Sequence, residues 1–399
     1  MNVLLLENIH PNAGSILKNR GMNVTRVAKS LAEDELIEAL RGVSILGIRS
    51  RTQVTPKVLE NATGLLAIGA YCIGTNQVEL RSASLSGVAV FNAPYSNTRS
   101  VAELVIAEII FLIRHLYDKV VKAHQGAWDK STENAREVRG KKLGIIGFGN
   151  IGSQVSTLAE ALGMDVYYYD IVDKLTIGNA TKMSSLHDLL KVVDVLTIHV
   201  DGNPANVNLI DTAEFEAMKE GIILLNLSRG HVVNIEALTK YVKSGKIAGV
   251  GIDVFPEEPK DGKEPFLSAL QGLPNVLLTP HIGGSTEEAQ ENIAEFVSNK
   301  LVDYAQTGST FTSVNFPRIN VPRAENGQTH RLLHVHNNVP GVLSQINGIF
   351  AKNNVNVLSQ YLRTNEIIGY AIADVDKEYK DSLFDDLQRV GHTIKVRIV

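Results

Sequence analysis

A chain of 399 residues exceeds one ordinary hydrophobic core and implies two or three domains. With 44% hydrophobic and 21% charged residues it reads as a soluble globular protein, and its net charge of −4, from 39 basic against 43 acidic side chains, argues against a nucleic-acid or anionic-membrane surface. Its one cysteine, Cys72, excludes an intramolecular disulfide framework and fits a reducing compartment, the thiol being either buried and inert or reactive. Met1–Glu7 lacks the basic start and long apolar run of a signal peptide, and the apolar stretch from Leu104 to Ile113 is broken by Glu108, so no membrane span and a cytoplasmic location are expected.

In chain order, Val3–Leu6, Ser44–Ile48, Leu65–Ile68 and Ala89–Phe91 read as strands, alternating with helices at Pro11–Arg20, Ala32–Leu40 and Lys57–Ala62. Such alternation makes a parallel sheet covered on both faces. A long apolar helix, Ser100–Leu116, leads into a second set of strands at Leu143–Ile146, Asp165–Tyr169, Val193–Val200, Ile222–Leu227, Ala248–Val254 and Val276–Leu278. Thr286–Ala305 reads as a helix and Ser309–Phe316 as an extended segment returning to complete the first domain. Pro317, Pro322 and Ala324–Gln328 have linker composition. The last seventy or so residues read strand Arg331–His336, helix Gly341–Lys352, strands Val355–Arg363 and Ile368–Asp374, helix Leu383–Val390 and strand Ile394–Val399, a βαββαβ module. The fold class is therefore α/β: a Rossmann-type nucleotide domain and a discontinuous flavodoxin-like substrate domain, both doubly wound parallel sheets, plus the C-terminal module.

The second set of strands opens on Gly147-x-Gly149-x-x-Gly152 between a strand and a helix. Gly147 allows the tight turn, Gly149 lets a pyrophosphate approach bare backbone, and Gly152 permits close packing of helix on strand. The phosphates would meet free N–H groups at the helix N-terminus. The next strand ends in Asp170, about twenty residues on, where a carboxylate accepts hydrogen bonds from the adenosine ribose and repels a 2′-phosphate. The cofactor expected is NAD.

Ligands of such sheets lie beyond the strands' carboxyl ends, where Asn226–Gly230, Asp253–Pro259 and Thr279–Gly284 follow three strands. Hydride transfer from a 2-hydroxy acid needs a base for the hydroxyl proton and a cation for the carboxylate. His281 can take and return that proton, Glu258 can orient the ring and raise its basicity, and Arg229 offers a planar fork for a carboxylate. Each has an ordinary alternative: a capping His, a solvated acid in a Pro-rich loop, an Arg paired with Asp or Glu. Asp253 is either a cap or an acceptor for the nicotinamide carboxamide. No metal is expected: His334-x-His336 turns two rings to one strand face without Cys or paired carboxylates nearby. Gly-x-Ser-x-Gly is absent, which leaves a serine hydrolase without support.

Gly47–Thr52, Tyr71–Val78, Phe91–Glu103, the glycine loop, Leu227–Gly230, Asp253–Pro256 with Glu258-Pro259, and Pro280–Thr286 together resemble the D-isomer-specific 2-hydroxyacid dehydrogenases over nearly the whole chain. Arg49-Ser50-Arg51 and Gly74-Thr75-Asn76-Gln77 narrow the resemblance to the phosphoglycerate branch with a C-terminal ACT module. The resemblance implies residues 1–96 and 284–318 as substrate-binding domain, 97–283 as NAD-binding domain, 319–329 as linker and 330–399 as ACT regulatory domain. It implies Arg229, Glu258 and His281 as catalytic residues, and NAD contacts from Asn150, Ile151, Asp170, Leu227, Ser228, Arg229, Asp253 and His281, Ile282, Gly283 and Gly284. Arg49, Ser50, Arg51, Asn97 and Arg229 would hold the substrate, two arginines suiting a phosphate dianion. His336, Asn338 and Asn356 match positions that contact L-serine between two ACT copies. Oxidation of 3-phosphoglycerate to phosphohydroxypyruvate as the first step of serine biosynthesis, reduction of 2-oxoglutarate, feedback inhibition by L-serine through the linker and a hinge near Gly283-Gly284, and a homotetramer paired through nucleotide and ACT domains are what it further implies.

Overall fold

Strand β1 (Asn2–Leu5) buries Val3, Leu4 and Leu5 in succession, as a strand covered on both faces must. The computed structural model describes residues 1–259, 264–322, 329–376 and 382–399. They form two compact units, Met1–Ser96 with Gln290–Val399, and Asn97–Ala289. In the first, helix α1 (Pro11–Asn19) starts with proline, whose fixed φ and missing N–H suit a first helical position. Then follow β2 (Asn23–Arg26), α2 (Glu33–Ala39), β3 (Ile45–Ile48), α3 (Pro56–Asn61), β4 (Ala67–Ala70), α4 (Leu80–Leu85) and β5 (Ala89–Phe91). All pairs are parallel, in the order β2-β1-β3-β4-β5. β2 escaped the sequence reading because it lies at the sheet edge and Val24 is its one apolar residue.

The second unit opens with α5 (Thr98–Ile113) and α6 (Leu116–His124). Sequence had suggested one helix to Leu116. The chain instead turns at Arg114 and His115, where His115 takes a left-handed φ of 50°. Seven strands follow: β6 (Lys142–Ile146), β7 (Asp165–Tyr169), β8 (Thr181–Lys182), β9 (Val195–Ile198), β10 (Ile222–Asn226), β11 (Ile247–Ile252) and β12 (Val276–Leu278). Their order β12-β11-β10-β9-β6-β7-β8, with parallel pairing throughout, reverses direction beside β6, the switch point at which doubly wound sheets bind ligands. Helix α7 (Asn150–Ala161) follows β6 directly.

A long helix, Glu287–Thr307, runs on into the first unit. The segment Ser309–Phe316, expected to be extended, is irregular; its sole strand-like contact is an antiparallel bridge from Ser313 to Phe91. Side chains tether it instead. The Asn315 amide donates to Val88 O at 2.9 Å and accepts from Val90 N–H at 2.8 Å. Beyond it Ile319 and Val321 are buried, while the linker residues Ala324–Gln328 lie outside the described residues.

The C-terminal module has strands Thr329–Asn337, Val357–Thr364, Ile368–Asp376 and Thr393–Ile398, with helices Val342–Lys352 and Ser382–Gln388, in one antiparallel sheet. Alternation splits the first strand between two cores. Leu332 packs with Ile346, Phe350 and Leu383 of the helices, and Leu333 and Val335 pack with Leu301, Tyr304 and Phe316. Buried Arg331 forms a two-pronged pair with Asp374 (2.6 and 3.0 Å) and donates to the carbonyls of Thr307 and Pro322.

Candidate active site

The glycine loop after β6 has the shape that a pyrophosphate needs. Gly147 has φ of 87°, and a Cβ there would lie 2.5 Å from His199 O; one on Gly152 would lie 2.3 Å from Gly147 O. Gly149 faces open space, which leaves backbone approachable at the start of α7. Asn150 is exposed and Ile151 half-buried there. At the end of β7 the Asp170 carboxylate accepts from Phe148 N–H and Val172 N–H, both at 2.8 Å, so it stands against the glycine loop. These residues fit a dinucleotide.

After β10 the wholly buried Asn226 shapes the next turn. Its Oδ1 accepts from the N–H and hydroxyl of Ser228, and its amide donates to Arg229 O at 3.0 Å. Leu227 and Ser228 are buried, Arg229 is half-buried, and its Nη1 donates to Ser228 O. Gly230 packs so tightly that an added Cβ would strike the Phe255 carbonyl at 2.1 Å.

Beyond β11 and β12, His281 Nδ1 and Glu258 Oε2 stand 2.8 Å apart, and Glu258 Oε1 accepts from Phe255 N–H at 3.1 Å. That hydrogen bond raises the imidazole above its ordinary range, against burial; the Glu258 and Asp253 charges assist and Arg229 opposes. Burial would push Glu258 up, yet its bonds to His281 and Phe255, with the charges of His281 and Arg229, hold it below the ordinary value. Arg229 therefore acts on both partners, and the three strand ends form one electrostatic cluster.

Asp253, 1% exposed, supports this cluster from below. Its carboxylate accepts from Thr279 Oγ1 at 2.7 Å and from the N–H groups of Ile282 and Gly283 at 2.8 Å. So anchored, the loop carries His281 at a left-handed φ of 54°, a conformation non-glycine residues adopt at a cost and retain chiefly at functional sites. Asn97 packs on Gly284, where an added Cβ would sit 2.4 Å from its Nδ2. One neighbour was read from sequence only as a break in an apolar run: Glu108 of α5 is 4% exposed and lies 3.5 Å from Thr279 Oγ1. Burial and the nearby Asp253 push its carboxyl up to about 8.

In the first unit, Arg49, Ser50 and Arg51 share the loop after β3; Arg49 is half-buried and the other two are exposed. Among the described residues neither guanidinium is in an ion pair. Burial pushes the Cys72 thiol up to about 11, the inert alternative.

In the C-terminal sheet the three effector candidates do not meet within one chain. His336 is buried with Nδ1 on Asn337 O at 2.9 Å, and Asn338 donates to Asn365 O at 2.7 Å. Asn356 lies at the other end, its N–H on Asp376. The Ile368–Asp376 strand separates them by about 25 Å at roughly 3.3 Å per residue. His334 and His336 do share a face, their ring centroids 5.6 Å apart. No group of three possible metal ligands gathers among the described residues.

Comparison with known proteins accords with this geometry. The family described as D-isomer specific 2-hydroxyacid dehydrogenase, NAD binding domain, matches residues 106–283, and an AHAS small subunit-like ACT domain matches residues 332–395. D-3-phosphoglycerate dehydrogenase of Haemophilus influenzae is 48% identical over 99% of this chain and 96% of that protein. The Dictyostelium discoideum protein of the same name is 47% identical, covering 100% and 97%. The solved structure of D-lactate dehydrogenase from Aquifex aeolicus, complexed with NAD and lactic acid, is 26% identical with a TM-score of 0.68, covering 79% of this chain and 100% of that one.

Proposed function

The chain belongs to the D-3-phosphoglycerate dehydrogenases, within the D-isomer specific 2-hydroxyacid dehydrogenases, and from that membership we propose how its residues divide the work. It is an NAD-dependent oxidoreductase. The observation that carries the proposal is the 2.8 Å contact of His281 with Glu258 inside the field of Arg229.

Bound at the glycine loop and Asp170, NAD supplies the hydride acceptor. In the oxidation of 3-phosphoglycerate, His281 takes the C2 hydroxyl proton on the ring nitrogen not committed to Glu258. The Glu258 carboxylate stabilises the imidazolium so formed. Arg229 holds the substrate carboxylate through paired donors, and Arg49 and Arg51, aided by Ser50 and Asn97, take the phosphate. Asp253 fixes the His281–Gly284 loop and is in place to accept the carboxamide. Running in reverse, His281 returns its proton to the carbonyl oxygen of 3-phosphohydroxypyruvate.

The same two guanidinium groups suit the distal carboxylate of 2-oxoglutarate, a second substrate. We further propose L-serine as an inhibitor bound between two ACT copies, in a homotetramer. The ACT match and the placement of Asn338 and Asn356 at opposite sheet ends support a site shared by two chains. No helix is long and apolar enough to cross a membrane among the described residues. NADH oxidation with 3-phosphohydroxypyruvate, titrated with L-serine, tests both readings. Turnover that serine suppresses is expected. Absence of turnover refutes the substrate assignment, and turnover indifferent to serine refutes the effector alone.

A further inference from the structure

The loop that carries Arg49 and Arg51 is held from inside by two buried side chains that bond to its backbone. Glu7 follows β1 with a left-handed φ of 59° and is 6% exposed. Its carboxylate accepts from the N–H groups of Arg49 at 3.3 Å, Arg51 at 3.0 Å and Thr52 at 2.9 Å. Gln77, equally buried, donates to Arg49 O at 2.6 Å; the same amide lies 3.3 Å from Cys72 Sγ and 3.4 Å from Gly74 O. The loop's polar backbone is thus paired on both sides by residues distant in sequence.

Two consequences follow. A turn rich in free N–H groups can cradle a phosphate with its backbone. Here three of those donors already serve an internal carboxylate, so the burden of an anion falls on the two arginine side chains. The second consequence is a conflict. A negative group beside two phosphate-binding cations weakens their field, so electrostatics alone would favour a neutral residue at position 7. The compensation is geometric: a guanidinium binds both oxygens of a phosphate face only when its backbone is held in a set orientation.

We propose that Glu7 and Gln77 are positioning residues that set the phosphate specificity of the Arg49–Arg51 loop. This rests on the reading that Arg49 and Arg51 take the substrate phosphate. Gln77 ends the Gly74–Gln77 run, and its bond to Arg49 O ties that run to the arginine loop.

The test is the steady-state kinetics of full-length Glu7→Gln, Gln77→Leu and the double variant Arg49→Ala/Arg51→Ala with 3-phosphohydroxypyruvate, with NADH affinity from fluorescence. Glu7→Gln removes a negative charge near two arginines, so a purely electrostatic role would lower KM. Positioning predicts the opposite sign: KM up about tenfold with kcat and NADH affinity held, the pattern of lost uniform binding. Gln77→Leu, which changes no charge, should also raise KM, and Glu7→Asp should restore part of the loss. If the double variant raises KM while Glu7→Gln lowers it or leaves it unchanged, positioning is refuted and the phosphate reading stands. If the double variant leaves KM unchanged, the phosphate reading itself fails. Should Glu7→Gln lose its native circular dichroism, Gln77→Leu decides alone, an unchanged KM overturning the proposal.

Discussion

A histidine used as a base near neutrality must be kept basic enough to accept a proton and free enough to lose it. His281 gains basicity through its bond to Glu258, which raises it above the ordinary 6.5. Oxidation needs the neutral ring, so its rate should climb with pH through that raised value. Glu258→Gln removes the carboxylate, and the rising limb of the kcat profile should move to lower pH; an unmoved limb would assign that limb to another group. The sign is reversed for stability: the bond's contribution is present below 6.5 and fades as pH rises through the raised value. Glu108 behaves otherwise. Its carboxyl ionises near 8 when folded against 4.5 ordinarily, so the unfolded chain sheds the proton first and stability declines across that window. Glu108→Gln cannot ionise. Its melting temperature should exceed the parent's by a margin that widens from pH 4.5 to 8, and a constant margin would contradict the buried acid's part in stability. The sequence shows Glu108 as a break in an apolar run and gives Glu7 no role, because the partners of both lie in loops distant along the chain.

Elements were easier to read than partners. Val3–Leu5, Ile145-Ile146 and Leu224-Leu225 lie in short apolar runs of the length a sheet covered on both faces uses, and the Gly147–Gly152 spacing marks where one strand turns into a helix. β2 was missed since pairing with β1, not burial, makes it a strand. The turn at Arg114-His115 was missed since no Gly or Pro announces it. The Ser309–Phe316 segment reads as extended, but a single backbone bridge at Ser313 and side-chain bonds join it to the first sheet. Asn315 satisfies Val90 N–H and Val88 O. Asn315→Ala would leave two buried backbone groups unpaired, so a loss of roughly 2–4 kcal/mol in denaturant unfolding is expected, and a neutral effect would show that the tether lies elsewhere.

At the scale of the whole molecule, residues far apart in sequence are proposed to serve one reaction, and residues at opposite sheet ends one effector. The clustering of Arg229, Glu258 and His281 was legible because each follows a strand of one sheet, where topology brings the strand ends together. The proposed effector residues came only through the resemblance, since Asn338 and Asn356 stand apart in each chain and no spacing within it unites them. A shared site predicts complementation: Asn338→Ala and Asn356→Ala each abolish serine inhibition, and mixed assemblies of the two regain part of it through one intact site per pair. No recovery would contradict a site shared by Asn338 and Asn356 of two chains. The central claim, that His281 moves the proton which accompanies hydride transfer, is tested most directly by single-turnover NADH oxidation with 3-phosphohydroxypyruvate in His281→Ala. The transfer rate should fall by about 10²–10⁴-fold, the usual worth of a general acid–base, with NADH affinity preserved. A near-parental rate at undiminished NADH affinity would contradict it.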